Sequence, residues 1–329
     1  MVTEVVRALK ARGWMKRNMP FLYTWHAYVG YEMNLYEAFK KPKTVEEVAT
    51  KYSLEKDLLK RWLDVGLAIS YVKEGRKGKY KTARKLMLPS SKKNPRSTGA
   101  ILKEMMELHI PTLLSYPTIM KTGEKNVFDG DKHGAVVAQT SSMLETLALP
   151  KMTSLVKKYD VKEVVDVGCG YGGYVQKLSK AFPHLTFSGL EVNEEVTEEA
   201  KKQCSEHDQI TIECTDVFEW TPDEKNVDLV LVHNLLHYLS DEERINLFSH
   251  ISKWLQKGGV ISVITPIQNG KHGKQFSSVF NSFFSAFENL HSLPTKKDIE
   301  KVTKATGLKL ASYKPIIKEA GWYHLTLEK

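Results

Sequence analysis

From residue 161 onward the sequence alternates short β-branched and apolar runs with amphipathic stretches, and this regularity constrains the fold more than any other feature. The runs 163–167, 185–192, 209–214, 228–233, 260–266, 308–313 and 322–327 read as strands, and 173–182, 194–205, 241–255, 276–290 and 295–306 read as helices. Such alternation implies an α/β fold: a parallel sheet wrapped by helices on both faces, with ligands beyond the carboxyl ends of its strands. The first strand runs straight into glycine. Residues 164–173 read VVDVGCGYGG, and Gly168, Gly170 and Gly173 fit G-x-G-x-x-G, where missing Cβ atoms let backbone N–H groups approach a ligand closely. Three glycines after a strand also arise from packing alone, so the residues around them must decide what the turn holds.

Four features do so. Asp166, two residues before Gly168, can accept from the loop or from a ligand ammonium and would repel a pyrophosphate, which argues against a dinucleotide. Glu191 ends the second strand, where a carboxylate can take both ribose hydroxyls in bidentate fashion. Asp216 follows the third strand, placed to accept from an adenine amino group while Val217 donates its backbone N–H. The segment VHNLLH, 232–237, ends the fourth strand and sets His233, Asn234 and His237 over the glycine turn.

Composition adds bounds. Hydrophobic residues make up 42% of the 329 and charged residues 26%, which is ordinary for a globular protein with ample chain for a core. No apolar run approaches the roughly 20 residues that a spanning helix needs, and the N-terminus lacks a signal-peptide core, so a cytoplasmic protein without membrane contact is expected. Cys169, Cys204 and Cys214 show no C-x-x-C spacing, so neither a disulfide framework nor a metal site is expected. The formal charge of +9 is uneven: residues 1–100 hold 22 Lys and Arg against 9 Asp and Glu.

That basic front third has its own organisation. Residues 21–40 carry more large apolar side chains than one small helix buries, so a partner subunit or second domain is expected to cover them. Thr44 and Glu47 form a capping box, and 53–56 repeats nearly the same signal before a second helix through Leu58, Trp62 and Gly66. Residues 68–73 and 79–82 flank a glycine-bounded turn as a hairpin, and helix, turn, helix, hairpin is a winged helix. Lys73, Arg76, Lys77, Lys79, Lys81, Arg84 and Lys85 make its wing basic. The second helix, however, opens LEKD rather than with base-reading Arg, Asn or Gln, so a nucleic-acid partner is disfavoured. Residues 86–98 read as a loop. Helices over 100–121 and 134–158, joined by a turn at 128–131, supply Met105, Met106, His109, Met120, Phe128, Gln139 and Met143 around an expected gap, of which Met106, His109, Gln139 and Met143 are expected at the substrate. The resulting domains are 1–98 (winged helix), 99–158 (helical connector) and 159–329 (ligand-binding and catalytic).

The glycine turn DVGCGYGG, the acid ending strand two and the acid after strand three resemble the class I S-adenosylmethionine-dependent methyltransferases across about 161–329. The order of winged helix, connector and catalytic domain resembles their dimeric O-methyltransferase family over nearly the whole chain. That resemblance implies a seven-stranded, mostly parallel sheet with an antiparallel last strand and a homodimer formed through the N-terminal domain. It also implies S-adenosylmethionine held by Asp166, Gly168, Gly170, Tyr171, Gly172, Glu191, Asp216, Val217 and His233, with S-adenosylhomocysteine as product. The family places a general-base histidine in a His-Asp-Trp-Ser-Asp segment. Here HYLSD, 237–241, stands in its place, matching at His237, Ser240 and Asp241 but not at Tyr238 and Leu239. The helix bearing Phe276, Phe280, Phe283, Phe284 and Phe287 stands where the family builds its substrate roof, so Phe280 and Phe284 join Asn234 as expected pocket residues.

The leading expectation is therefore methylation of a small molecule, first of a hydroxyl or phenol, with N-, S- or C-methylation at the same cofactor site as the alternative. A winged-helix regulator of nucleic acid is a further alternative. An NAD-linked oxidoreductase is disfavoured, because it gives Asp166 and Asp216 no role.

Overall fold

In the computed structural model, which describes residues 2–85, 88–94, 97–223 and 226–329, the chain divides between Leu108 and His109 into two units. That boundary falls inside the stretch expected as a connector. Of the expected loop 86–98, residues 86, 87, 95 and 96 lie outside the described residues, and 88–94 contain neither helix nor strand.

The first unit comprises α1 (Val2–Glu32), α2 (Leu35–Ala38), α3 (Val45–Tyr52), α4 (Lys56–Ala68), β1 (Val72–Glu74), β2 (Tyr80–Thr82) and α5 (Gly99–Glu104). The expected capping box is present. Thr44 Oγ1 accepts from Glu47 N at 3.2 Å, and Glu47 Oε2 accepts from Thr44 N at 2.6 Å. The repeat at 53–56 is not a second N-cap: Ser53 ends α3 in the left-handed region (φ 53°), whereas an N-cap needs extended backbone. Glu55 caps α4 instead, accepting from Leu58 N at 2.7 Å. β1 and β2 pair antiparallel with Val72 opposite Thr82, completing the helix, helix, hairpin order. Trp62, Leu63, Phe39, Val48 and Val72 fill the core beside a buried His26. The His26 ring stacks on Trp62 at 4.3 Å, and its nitrogens pair with Tyr36 Oη and Trp62 O, each at 3.0 Å. Of the apolar stretch 21–40, Tyr31, Leu35, Tyr36 and Phe39 are buried, while Phe21, Leu22 and Trp25 are exposed together with Leu9, Trp14 and Met15 higher on α1.

The second unit begins with α6 (Ile110–Leu114), α7 (Tyr116–Thr122) and the 29-residue α8 (Gly130–Lys158). The alternation then follows: β3 (Glu163–Val167), α9 (Gly173–Ala181), β4 (Thr186–Glu191), α10 (Glu194–Cys204), β5 (Ile210–Cys214), β6 (Val227–His233), α11 (Asp241–Ser252), β7 (Leu255–Pro266), α12 (Lys274–Ser285), α13 (Lys296–Thr306), β8 (Lys309–Ile317) and β9 (Trp322–Glu328). The sheet order is β5-β4-β3-β6-β7-β9-β8, and β9 runs opposite to the other strands, antiparallel to both β7 and β8. Successive side chains point to opposite faces, so Val165, Val230 and Val232 pack into one core while Val164, Leu229 and Leu231 pack into the other. The order reverses at β3, whose neighbours are β4 and β6, and a crevice opens there beyond the strand ends. Among the described residues no helix is long and apolar enough to cross a membrane.

Candidate active site

The loop after β3 is shaped by conformations that only glycine adopts without strain. Gly168 and Gly172 sit at φ 70° and 71°, and Gly172 is the N-cap of α9. Gly168 N and Cys169 N donate to Leu190 O at 2.8 and 3.0 Å, tying the turn to the end of β4. Gly173 serves close approach instead: a Cβ there would stand 2.0 Å from Glu145 Oε2 on α8.

Above the loop lies a cavity of about 610 Å³, within the range of small-molecule and cofactor sites. Asp166, Gly168, Gly170, Tyr171, Glu191, Asp216, Val217, His233 and Asn234 all line it, so the expected cofactor residues from β3, β4, β6 and the β5 end converge as their strand positions require; Gly172 caps α9 behind the loop. Glu191 is held by three backbone donors. Its Oε2 accepts from Gly170 N at 3.1 Å and its Oε1 from Val192 N and Asn193 N, both at 3.0 Å. A carboxylate has about four acceptor positions, so roughly one remains for a ribose hydroxyl, on the Gly170 side. Asp216 Oδ1 accepts from Phe218 N at 2.8 Å, which orients the carboxylate at the far end of the cavity.

The opposite end is buried and acidic. Asp166 is 1% exposed, and burial, then Glu145, then Glu191 push its carboxyl up to about 8. Glu145 pairs with Lys177, but burial outweighs that partner and holds its carboxyl above the ordinary range. His233 gives one ring nitrogen to Ser262 Oγ at 2.9 Å and packs edge-on against Tyr174 at 4.4 Å. Asp166 Oδ2, Tyr174 Oη and His233 Nδ1 are all buried without a hydrogen-bond partner among the described residues. A carboxyl-lined end with orphaned polar atoms fits a cationic, hydrogen-bonding ligand group, as an α-ammonium is, whose charge favours the ionised form of Asp166.

The segment after β6 places the remaining candidates. His237 and Tyr238 lie in a short 3-10 turn, and Tyr238, not His237, lines the cavity. The His237 ring stacks on Phe284 at 4.3 Å and touches Tyr238 at 4.5 Å, with its Nδ1 buried and unpartnered among the described residues. Burial, then the Arg244 charge, lower its imidazole to about 3, so it is neutral above that pH. Ser240 and Asp241 act on the backbone: Ser240 caps α11 in a capping box, and Asp241 pairs with Arg244, whose Nε donates to Leu236 O at 2.8 Å. His109 contacts Phe280 and Phe283 at 5.3 and 4.4 Å, and Phe280 contacts Phe284 at 4.5 Å, forming an aromatic cluster off the cavity wall. α8 presents Gly134, Val137, Ala138, Ser141 and Glu145 to the cavity at helical spacing. Gln139 and Met143 therefore lie on another face, and Met106 belongs to the first unit. Phe128, expected near the ligand gap, lines the cavity, and so do Glu145, Tyr174 and Asn193, which no sequence pattern marks.

Residues 164–259 match the family model described as a methyltransferase domain. Phosphoethanolamine N-methyltransferase 1 of Triticum aestivum is 31% identical over 147 residues, 40% of this chain, and the match spans only 28% of that protein's length. The mitomycin 7-O-methyltransferase structure superposes with a TM-score of 0.79 at 18% identity, covering 98% of this chain and 99% of that one. Human N-acetylserotonin methyltransferase in complex with SAM gives 0.77 at 17% identity over 97% of each chain. The likeness to these structures extends the fold match to both units. With the glycine loop, the strand-end acids and the domain match in agreement, residues 164–259 carry a methyltransferase domain, and the whole chain shares the fold of the two structures.

Proposed function

We propose that the protein methylates a small molecule, with a hydroxyl or phenol as the preferred acceptor. The observation that carries this is the convergence of Asp166, Glu191 and Asp216 on one cavity from three adjacent strand ends. Together they suit an ammonium, a ribose and an adenine amino group in that order. S-adenosylmethionine, when bound, supplies an electrophilic methyl on its sulfonium. Asp166 accepts from the ammonium, Glu191 accepts from ribose, and Asp216 with Val217 N reads the adenine edge. For a hydroxyl acceptor, His237, neutral and in ring contact with the wall residue Tyr238, is the group assigned to take the proton, a contribution of about 10²- to 10⁴-fold in rate.

Calorimetric titration with S-adenosylhomocysteine tests the cofactor reading: binding to the wild type and loss of roughly 10-fold or more in Glu191→Ala are expected. Tight NADH binding instead overturns it. A screen of phenols, amines and thiols for methyl transfer then identifies the acceptor. N-methylation is the second reading, favoured by the cavity wall, which carries Tyr238 where a base for oxygen is expected. An amine acceptor needs only a positioning group there.

The exposed apolar side chains of α1 support a homodimer through the first unit. Analytical ultracentrifugation is expected to give twice the 37.5 kDa chain mass, and a monomer for Trp14→Glu with Leu22→Glu. A wild-type monomer refutes that part.

A further inference from the structure

Tyr174 is the second residue of the methyltransferase domain's first helix after the glycine loop, and its hydroxyl is an anomaly. The side chain is 6% exposed and its Oη finds no partner among the described residues, yet it lines the cavity. Leaving a buried hydroxyl unpaired costs stability, so an orphan of this kind needs a reason. Its ring is held in place from β6. His233 packs edge-on against it, and His233 is fixed in turn by Ser262 Oγ, which also pairs with His324 at 3.1 Å. The charges around the hydroxyl are the carboxyls of Glu145 on α8 and Asp166 on β3, and Lys177 on α9 is already committed to Glu145.

An α-amino acid carries two opposite charges on one carbon. The carboxyls of Asp166 and Glu145 suit the ammonium and disfavour the carboxylate, and a neutral donor beside them resolves that conflict. A phenol O–H supplies such a donor. We propose that Tyr174 is a specificity-determining residue whose hydroxyl donates to the carboxylate of the cofactor's amino-acid tail, while Asp166 accepts from the ammonium. The two would select ligands bearing the complete tail over those carrying adenosine alone. This rests on the cofactor reading above.

The test compares two ligands that share adenosine and differ in the tail. S-adenosylhomocysteine carries the amino-acid tail, and 5′-methylthioadenosine lacks it. By titration calorimetry, Tyr174→Phe is expected to weaken S-adenosylhomocysteine by about 10- to 100-fold, the range for a lost hydrogen bond to a charged group, and 5′-methylthioadenosine by less than about 2-fold. The ligand-free melting temperature of Tyr174→Phe is expected to equal or exceed that of the wild type, because the substitution removes an unsatisfied group. Equal weakening of both ligands, or a fall in ligand-free stability, assigns Tyr174 a structural role and overturns the inference. So does unchanged binding of both. A wild type that binds neither ligand fails at the cofactor reading itself, which separates the two failures.

Discussion

Asp166→Asn should make the ligand-free protein more stable, and increasingly so as the pH rises. The carboxyl ordinarily titrates near 3.8 and is pushed up to about 8 in the folded chain, by burial first and then by Glu145 and Glu191. Between those values the folded state binds a proton that the unfolded state has released. Stability therefore falls as pH rises through that window and levels off above 8. The amide has the same shape and no charge, so the difference in unfolding free energy between variant and wild type isolates this one titration. From pH 6 to pH 9 the difference is expected to grow by about 2.5 kcal/mol, from 1.36 kcal/mol per unit of unequal protonation.

For a unit of this size that corresponds to roughly 5–10 °C in melting temperature. Thermal unfolding of both proteins at half-unit pH steps measures it. The groups facing Asp166 are Glu145 on α8, Glu191 on β4, Tyr174 on α9, His233 on β6, Cys169 in the loop and Cys204 on α10. All are retained in the variant, so their titrations largely cancel. Saturating S-adenosylhomocysteine is expected to reverse the order, because only the wild type gains an ammonium partner. A stability difference that stays flat from pH 6 to pH 9 refutes the account, as does a variant less stable than wild type throughout.

Two further outcomes follow from the site. His237→Gln is expected to lower kcat by about 10²-fold or more while S-adenosylhomocysteine affinity stays within about 2-fold, and equal turnover removes His237 from the chemistry. Because its imidazole is lowered to about 3, the wild-type kcat should show no His237 ionisation between pH 5 and 9. Gly172→Ala forces a side chain into φ 71° with its Cβ 2.8 Å from Cys204 Sγ. A loss of about 1–3 kcal/mol in urea unfolding is expected, and a neutral result contradicts the loop geometry.

Much of the fold was legible because it rests on local chemistry. The Thr44 and Glu47 capping box, the strand-and-helix alternation and the acids at strand ends each follow from residue type and spacing. The misreading at 53–56 came from the same rule applied one helix too early: Ser53 and Glu55 both offer a capping oxygen, and the backbone conformation at Ser53 decides between them. Residue type alone points Gln139 and Met143 to a pocket, whereas the cavity takes the α8 face running through Gly134 and Glu145.

The third glycine of the fingerprint explains what the sequence could not show. Read alone, Gly173 completes a ligand cradle. In the folded chain its missing Cβ admits the Glu145 carboxylate against the start of α9, where Lys177, one turn on, pairs with it. This contact joins residues 28 positions apart, and no local pattern marks Glu145 among the polar residues of a 29-residue helix. Its consequence reaches the ligand end of the site, because the buried Glu145 raises Asp166 and faces the Tyr174 hydroxyl. A larger residue at 173 would push that carboxylate away, lower the Asp166 carboxyl and loosen the end of the cavity that suits an amino-acid tail. The glycine thus acts on the ligand through an acid on another helix, a path visible only once the two helices are packed together.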